Sequence, residues 1–238
     1  MNRLAQTALL FLLGATLLHA GTTDLYLRYV KEGLRPLVLL AGAVLITTAA
    51  ATLWYDRRTP AHDHDHQHRE PRVSWLLTLP VLALILVAPP ALGSYSAAHT
   101  GTALTKPFGF PALPTGGDAP LRLAVADYAG RAIYDDGRSL HDRELKITGF
   151  VTLDRKGTPY LVRMGLNCCA ADAQPVKIAL TGDIPPVLRP DTWLEITGTY
   201  TPRRTKDPVN NGPIPYLEVT TARPVPTPHD PYDETWNT

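Results

Sequence analysis

The sequence predicts an α-helical membrane segment of three transmembrane helices followed by an all-β, OB-like small Greek-key barrel domain. Three observations predict it. Apolar stretches of bilayer length are confined to residues 4–94, the pattern then switches to a period of two, and glycines recur inside the alternating segments. A chain of 238 residues has room for a membrane region and one small domain. Its formal net charge of +1 gives no reason to expect a nucleic-acid partner. The cysteines number 2 and are adjacent, so this is no disulfide-stapled secreted scaffold. The 23 prolines cluster after residue 80, which favours extended linkers and short strands over long soluble helices.

Three spans are expected, at residues 4–20, 34–54 and 74–94. A hydrocarbon core of ~30 Å takes about 20 helical residues, and the second and third stretches reach that length without a central charge. Pro80 is expected to kink the third helix. Tyr26, Tyr29, Trp54, Tyr55, Trp75 and Tyr95 fall at segment ends, where interfacial rings belong. Arg3 followed by an apolar run also resembles a signal peptide, but Leu18-His19-Ala20 lacks the small residue of a cleavage site, so an uncleaved helix is expected. The loop 55–73 holds Arg57, Arg58, Arg69 and Arg72, whereas the twenty residues following the third span offer only Lys106. The positive-inside rule then predicts a multi-pass protein of the bacterial cell membrane with a cytoplasmic N-terminus and an extracytoplasmic C-terminal domain. Arg28, Lys31 and Arg35 in the first loop weaken that bias without reversing it.

Residues 99–120 read as a Gly-, Pro- and Thr-rich linker, and residues 121–238 as the barrel domain. Helical spacing over Leu121–Tyr134 precedes expected strands at Glu144–Leu153, Thr158–Leu166, Pro175–Leu180, Trp193–Thr201 and Tyr216–Thr221. Gly149 and Gly198, each within Ile-Thr-Gly, mark where barrel strands bend. A small β-sandwich is the competing architecture.

Two segments have the composition of metal sites. In the cytoplasmic loop, His62, His64, His66 and His68 alternate with Asp63, Asp65 and Gln67. Imidazole and carboxylate suit Zn²⁺ and neighbouring divalent metals, and alternate residues of an extended chain share a side. Such a run has no orienting outer shell, so it would hold metal weakly; a solvated loop is the plainer alternative. The second segment is Asn167-Cys168-Cys169-Ala170-Ala171-Asp172-Ala173. Cys168, Cys169 and Asp172 could form part of a tetrahedral site, completed by a histidine such as His141 or His229, provided that a turn brings both sulfurs together. A strained vicinal disulfide and two small packing residues remain open alternatives. Arg203, Arg204 and Lys206 in Pro202–Pro215 lack interleaved aromatics and read as a solvated turn rather than a nucleic-acid surface. His19 and His99 are expected at the outer membrane interface. Phosphate-cradling loops, nucleophile elbows and metalloprotease helices are all missing from the sequence, so no catalytic residue is expected and the chain is not read as an enzyme.

The string Cys168-Cys169-Ala170-Ala171-Asp172-Ala173, preceded by Arg163, resembles the YcgQ-like family of bacterial membrane proteins. Tyr26–Tyr29, the histidine loop before Trp75, Pro89-Pro90-Ala91-Leu92-Gly93, Gly149-Phe150-Val151, Trp193 with Gly198, and Pro228-His229-Asp230-Pro231-Tyr232 carry the likeness along the chain. Glu195 departs from it, standing where an apolar residue is expected. The resemblance implies one subunit of a two-component permease, with a multi-spanning membrane permease as partner and a suspected link to zinc or another divalent metal. The expectation is thus an accessory subunit of a membrane transport complex. The alternatives are a permease-independent metal-binding envelope sensor or chaperone, and a thiol redox protein.

Overall fold

Two units divide the chain, Met1–Pro90 and Ala91–Thr238. The computed structural model describes residues 3–58, 76, 78–114 and 119–234. The histidine tract His62–His68 lies outside the described residues.

The first unit is helical: α1 (Arg3–Thr22), α2 (Arg35–Arg58) and α3 (Thr78–Leu86). The first two are rich in Leu and Ala, and their threonines return their hydroxyls to the backbone, as Thr16 does to the Leu12 carbonyl (2.7 Å) and Thr48 to the Val44 carbonyl (2.7 Å). Such internal bonding satisfies these hydroxyls without water. Gly14 and Gly42 face each other so closely that a Cβ on Gly14 would lie 2.9 Å from the Gly42 carbonyl oxygen. Small residues there let the helix backbones approach. Arg35 donates from Nε to the Gly21 carbonyl (2.9 Å), satisfying an acceptor at the end of α1. Outward, Leu37 and Leu40 are each 60% exposed, far more than the core pair of a soluble protein would allow.

Two helices, not three, are long and apolar enough among the described residues to cross a membrane. Among the described residues of the third apolar stretch, α3 covers 9 residues, ~14 Å at 1.5 Å per residue. Pro80 is the third residue of that helix, in the first turn, where its missing N–H has no intrahelical partner to lose.

The second unit contains α4 (Ser94–His99), β1 (Leu121–Leu123), α5 (Val125–Tyr134), β2 (Glu144–Leu153), β3 (Pro159–Leu166), β4 (Gln174–Gly182), β5 (Trp193–Lys206), β6 (Pro213–Pro224) and β7 (Tyr232–Glu234). The sheet order is β1-β2-β5-β6-β4-β3-β7, and an additional β2–β3 pairing closes the five long strands into a barrel. β4 and β6 run parallel, and the other pairs of the ring are antiparallel. This is barrel rather than sandwich connectivity. Closure needs the glycines. A Cβ on Gly149 would meet the Val162 carbonyl at 2.8 Å, and Gly198 sits at a register shift of β5 against β6.

Alternation fills the interior with Leu145, Ile147, Leu161, Ile178, Ile196 and Leu217, all fully buried. Each such side chain is worth ~1.5–3 kcal/mol. α5 adds Val125, Tyr128, Ala129 and Ala132 to the same core. Its Arg131 is buried but satisfied by Asp127 (2.7 Å) and by the Pro111 carbonyl (2.8 Å). The helical spacing over Leu121–Tyr134 therefore resolves into a short strand and a helix: Leu121–Leu123 pairs in parallel with Leu145–Ile147.

Described residues of the expected linker pack onto the barrel. Thr102 is buried, its N–H donates to Asp207 Oδ2 (2.9 Å), and Leu104 and Leu113 touch the core. The expected loop Pro202–Pro215 is mostly strand, because Arg204, Thr205 and Lys206 pair with Pro215, Ile214 and Pro213. Its basic residues are committed within the domain, Arg203 over the Tyr216 ring at 4.6 Å and Arg204 on Asp136.

Two charged clusters yield tests. Asp207 is fully buried and pairs with Lys177 (2.8 Å), whose side chain is almost as buried. Replacing Asp207 by Ala strands a buried ammonium and should cost about 3–5 kcal/mol in chemical denaturation, whereas exposed Arg203→Ala should change stability by under about 0.5 kcal/mol. The out-of-pattern Glu195 is bridged by Arg223 (2.7 Å), Arg122 (3.3 Å) and Lys146 (3.4 Å). The Arg223 hydrogen bond, then Lys146 and Arg122, hold its carboxyl below the usual range. A depressed pKa contributes stability above the unfolded value and loses it as pH falls through the folded one. Glu195→Gln should therefore be less stable than wild type by about 1 kcal/mol at neutral pH, and the gap should close in acid melts.

Candidate metal centre

The chain leaves β3 at Leu166 and must turn before β4 begins at Gln174. It does so through an extended Cys169 (φ −153°, ψ 169°) followed by one 3₁₀ turn, Ala170–Asp172. Asp172 builds the turn. Its Oδ1 accepts the Asn167 N–H (3.0 Å), its Oδ2 accepts the Cys168 N–H (2.9 Å), and its own N–H donates to the Cys169 carbonyl (3.0 Å). An aspartate bonding backbone N–H groups in this way fixes a loop that has no ladder to rest on. The two small alanines let the turn close against the barrel end.

This turn supplies what the sequence alone left open. Adjacent side chains of an extended strand point apart, yet here Cys168 Sγ, Cys169 Sγ and an Asp172 oxygen all lie within 4.8 Å of one another. Neighbouring ligands around a tetrahedral Zn²⁺ are ~3.5–4 Å apart, so a contraction of about 1 Å would seat an ion. The donor set of two thiols and one carboxylate fits zinc or a similar borderline-soft divalent metal. Cys168 is exposed and Cys169 partly so, and both are free thiols. The open side of the cluster leaves a coordination position for water or for a ligand from another molecule.

Hydrogen bonding sets the charge state. The Cys168 thiol hydrogen-bonds the Asp172 carboxylate and then Cys169, which pushes its pKa up to about 12. Reciprocally, that thiol bond and the backbone donors hold the Asp172 carboxyl below its usual range. The group thus keeps a proton where a cation would sit. Arg163, the cation nearest the cysteines in sequence, pairs with Asp233 (2.9 Å) and donates to the carbonyls of Asp230 and Tyr232.

Neither histidine considered as a fourth ligand joins the cluster. His141 packs edge-on against Tyr200 at 5.2 Å, and His229 is exposed near the start of β7. His62, His64, His66 and His68 lie outside the described residues. Sequence reasoning missed the role of Asp172 as the loop's organiser. An Asp four residues after a cysteine in a strand-to-strand connection was its signal.

The charge state makes metal uptake a proton exchange. Between about pH 6 and about pH 8 the affinity for Zn²⁺ should rise about tenfold per pH unit for each thiol proton displaced. Competition titrations at several pH values would check this. Asp172→Asn should weaken binding and flatten the slope.

Comparison with curated proteins and with solved structures returned no match. Residues 118–233, from the approach to β1 through most of β7, match the family model of the DUF1980 C-terminal domain. The barrel that carries the cysteine turn thus lies in the stretch that is similar to the DUF1980 C-terminal domain, an uncharacterised family.

Proposed function

We propose that the protein is an accessory subunit of a membrane transport complex whose barrel domain receives or presents a divalent metal, zinc being the best fit. The convergence of Cys168, Cys169 and Asp172 within 4.8 Å on an exposed turn carries this reading. Three protein donors with an open side suit a site that hands its ion on, because an incoming ligand can enter before an old one leaves. A thiol redox protein is less well supported. A nucleophilic cysteine needs a depressed pKa, and the Asp172 bond moves the Cys168 thiol the other way.

The membrane part of the reading rests on α1 and α2, whose exposed Leu4, Phe11, Leu37 and Leu40 suit lipid contact. Leu76 and Leu86 in the third stretch are also exposed, at 64% and 82%. A third crossing requires helix beyond Thr78–Leu86, and the arginines of loop 55–73 favour placing that loop in the cytoplasm and the barrel outside. The likeness to the YcgQ-like family favours a multi-spanning permease as partner. A permease-independent metal-binding sensor or chaperone uses the same site and differs only in lacking that partner.

The full-length protein should bind one zinc per chain at the cysteine turn. The double variant Cys168→Ser/Cys169→Ser should lower affinity by about a hundredfold or more, as read by elemental analysis and competition with a chelator. Unchanged zinc content in that variant would transfer the metal to the histidine tract and remove the proposed site. In detergent extracts of native membranes the protein should co-purify with a multi-spanning partner; recovery as a free chain would favour the sensor or chaperone reading. A reporter fused after Thr238 that is active only in the cytosol would overturn the outward placement of the barrel.

A further inference from the structure

At the end of the barrel formed by the β2–β3 turn and the β5–β6 loop, α4 roofs a cavity of about 550 Å³. That size lies within the usual range for small-molecule sites. Nothing in the cysteine turn contributes to its walls.

Its polar lining is mostly cationic. Lys177, from β4, is only 3% exposed, and its Nζ donates to Asp207 Oδ2 (2.8 Å) and to the Thr100 carbonyl (2.9 Å). An ammonium has three protons, so one donor of this buried group has no partner among the described residues. Asp207 cannot swing away to neutralise more of the charge, because its oxygens already accept the N–H groups of Thr102 (2.9 Å) and Val209 (2.7 Å). A buried donor left over beside a cavity favours an occupant that brings an acceptor, an anionic one above all.

The rim adds two more cations. Asp154 rigidifies the β2–β3 turn by accepting the N–H groups of Lys156 (2.7 Å) and Thr158 (2.8 Å). The turn thereby carries Arg155 and Lys156 at the cavity mouth, and the Arg155 guanidinium makes no hydrogen bond or ion pair among the described residues. Lys177, Arg155 and Lys156 outnumber Asp154 and Asp207, leaving a net positive site. The remaining wall includes the Tyr160 and His99 rings and the Val209 side chain, which is 48% exposed. Inorganic phosphate would leave that apolar surface uncovered.

We propose that this cavity binds a small organic anion, one phosphate or carboxylate on a compact apolar body, with the acidic group between Arg155, Lys156 and Lys177 and the body against the exposed His99 and Val209. The site is independent of the metal centre.

Calorimetric titration of the full-length protein in detergent tests it with phenyl phosphate, inorganic phosphate and benzyl alcohol. Phenyl phosphate should bind at one site per chain and at least about tenfold more tightly than either fragment. The double variant Arg155→Ala/Lys156→Ala changes only exposed turn side chains and should weaken phenyl phosphate by at least about tenfold. Val209→Asp, which sets a carboxylate on the rim, should weaken it further. Cys168→Ser/Cys169→Ser should leave it unchanged, so failure of the anion site and failure of the metal site are read separately. No binding of phenyl phosphate, or equal binding to both rim variants, would overturn the proposal. Equal affinity for inorganic phosphate or benzyl alcohol would overturn the requirement for an anion on an apolar body. Tighter binding of a short oligonucleotide would replace it with a nucleic-acid surface.

Discussion

The second unit depends on β2 being paired along both edges. Antiparallel β3 takes the end from Phe150 to Leu153, and antiparallel β5 takes Glu144 to Phe150. The sheet closes on itself there, so the five long strands present no free edge around the ring. Gly149 is the hinge of that sharing, because the neighbouring strand's carbonyl occupies the space a side chain would need. Closure then fixes where loops can be. The β3–β4 turn with the cysteines and the β2–β3 turn with Arg155 leave opposite ends of β3, so the two turns fall at separate ends of one barrel.

Within the cysteine turn, one carboxylate performs two tasks. Asp172 folds the loop by taking two backbone N–H groups, and the same oxygens stand beside the sulfurs. A carboxylate oxygen has lone pairs enough for both. Folding the loop therefore brings the two sulfurs and the carboxylate together in advance, which would lower the ordering cost of binding an ion there. The thiol proton held against Asp172 is the competitor that a metal must displace, and it also works against thiolate chemistry.

Buried charge is handled differently elsewhere in the barrel. Lys177 and Asp207 connect three chain segments: β4, the start of the β5–β6 loop, and the residues around Thr100–Thr102. Their desolvation is compensated only because each makes further hydrogen bonds. This is also why the segment before β1 packs on the barrel in spite of its linker-like composition. Its backbone groups complete the coordination of buried ions, and composition does not record such obligations.

The sequence by itself determined the division into an apolar helical region and a β-rich domain, since helical length and period-two alternation are local properties of side chains in order. It placed the exact span of β2 and singled out Cys168, Cys169 and Asp172 as chemically apt. It also marked a third apolar stretch as a span, of which the described residues show the helix Thr78–Leu86; hydropathy reports what a segment tolerates and not how much of it keeps helical hydrogen bonds. Glu195 read as a departure from pattern, and only the neighbouring strands show it bridged by Arg122, Lys146 and Arg223. Tertiary structure alone decided that the two sulfurs and the carboxylate meet, and that Lys177, Arg155 and Lys156 surround one cavity. The physical reason is the same in each case: partners far apart in sequence, or on opposite sides of an extended chain, become neighbours only when the barrel closes and its turns are tied.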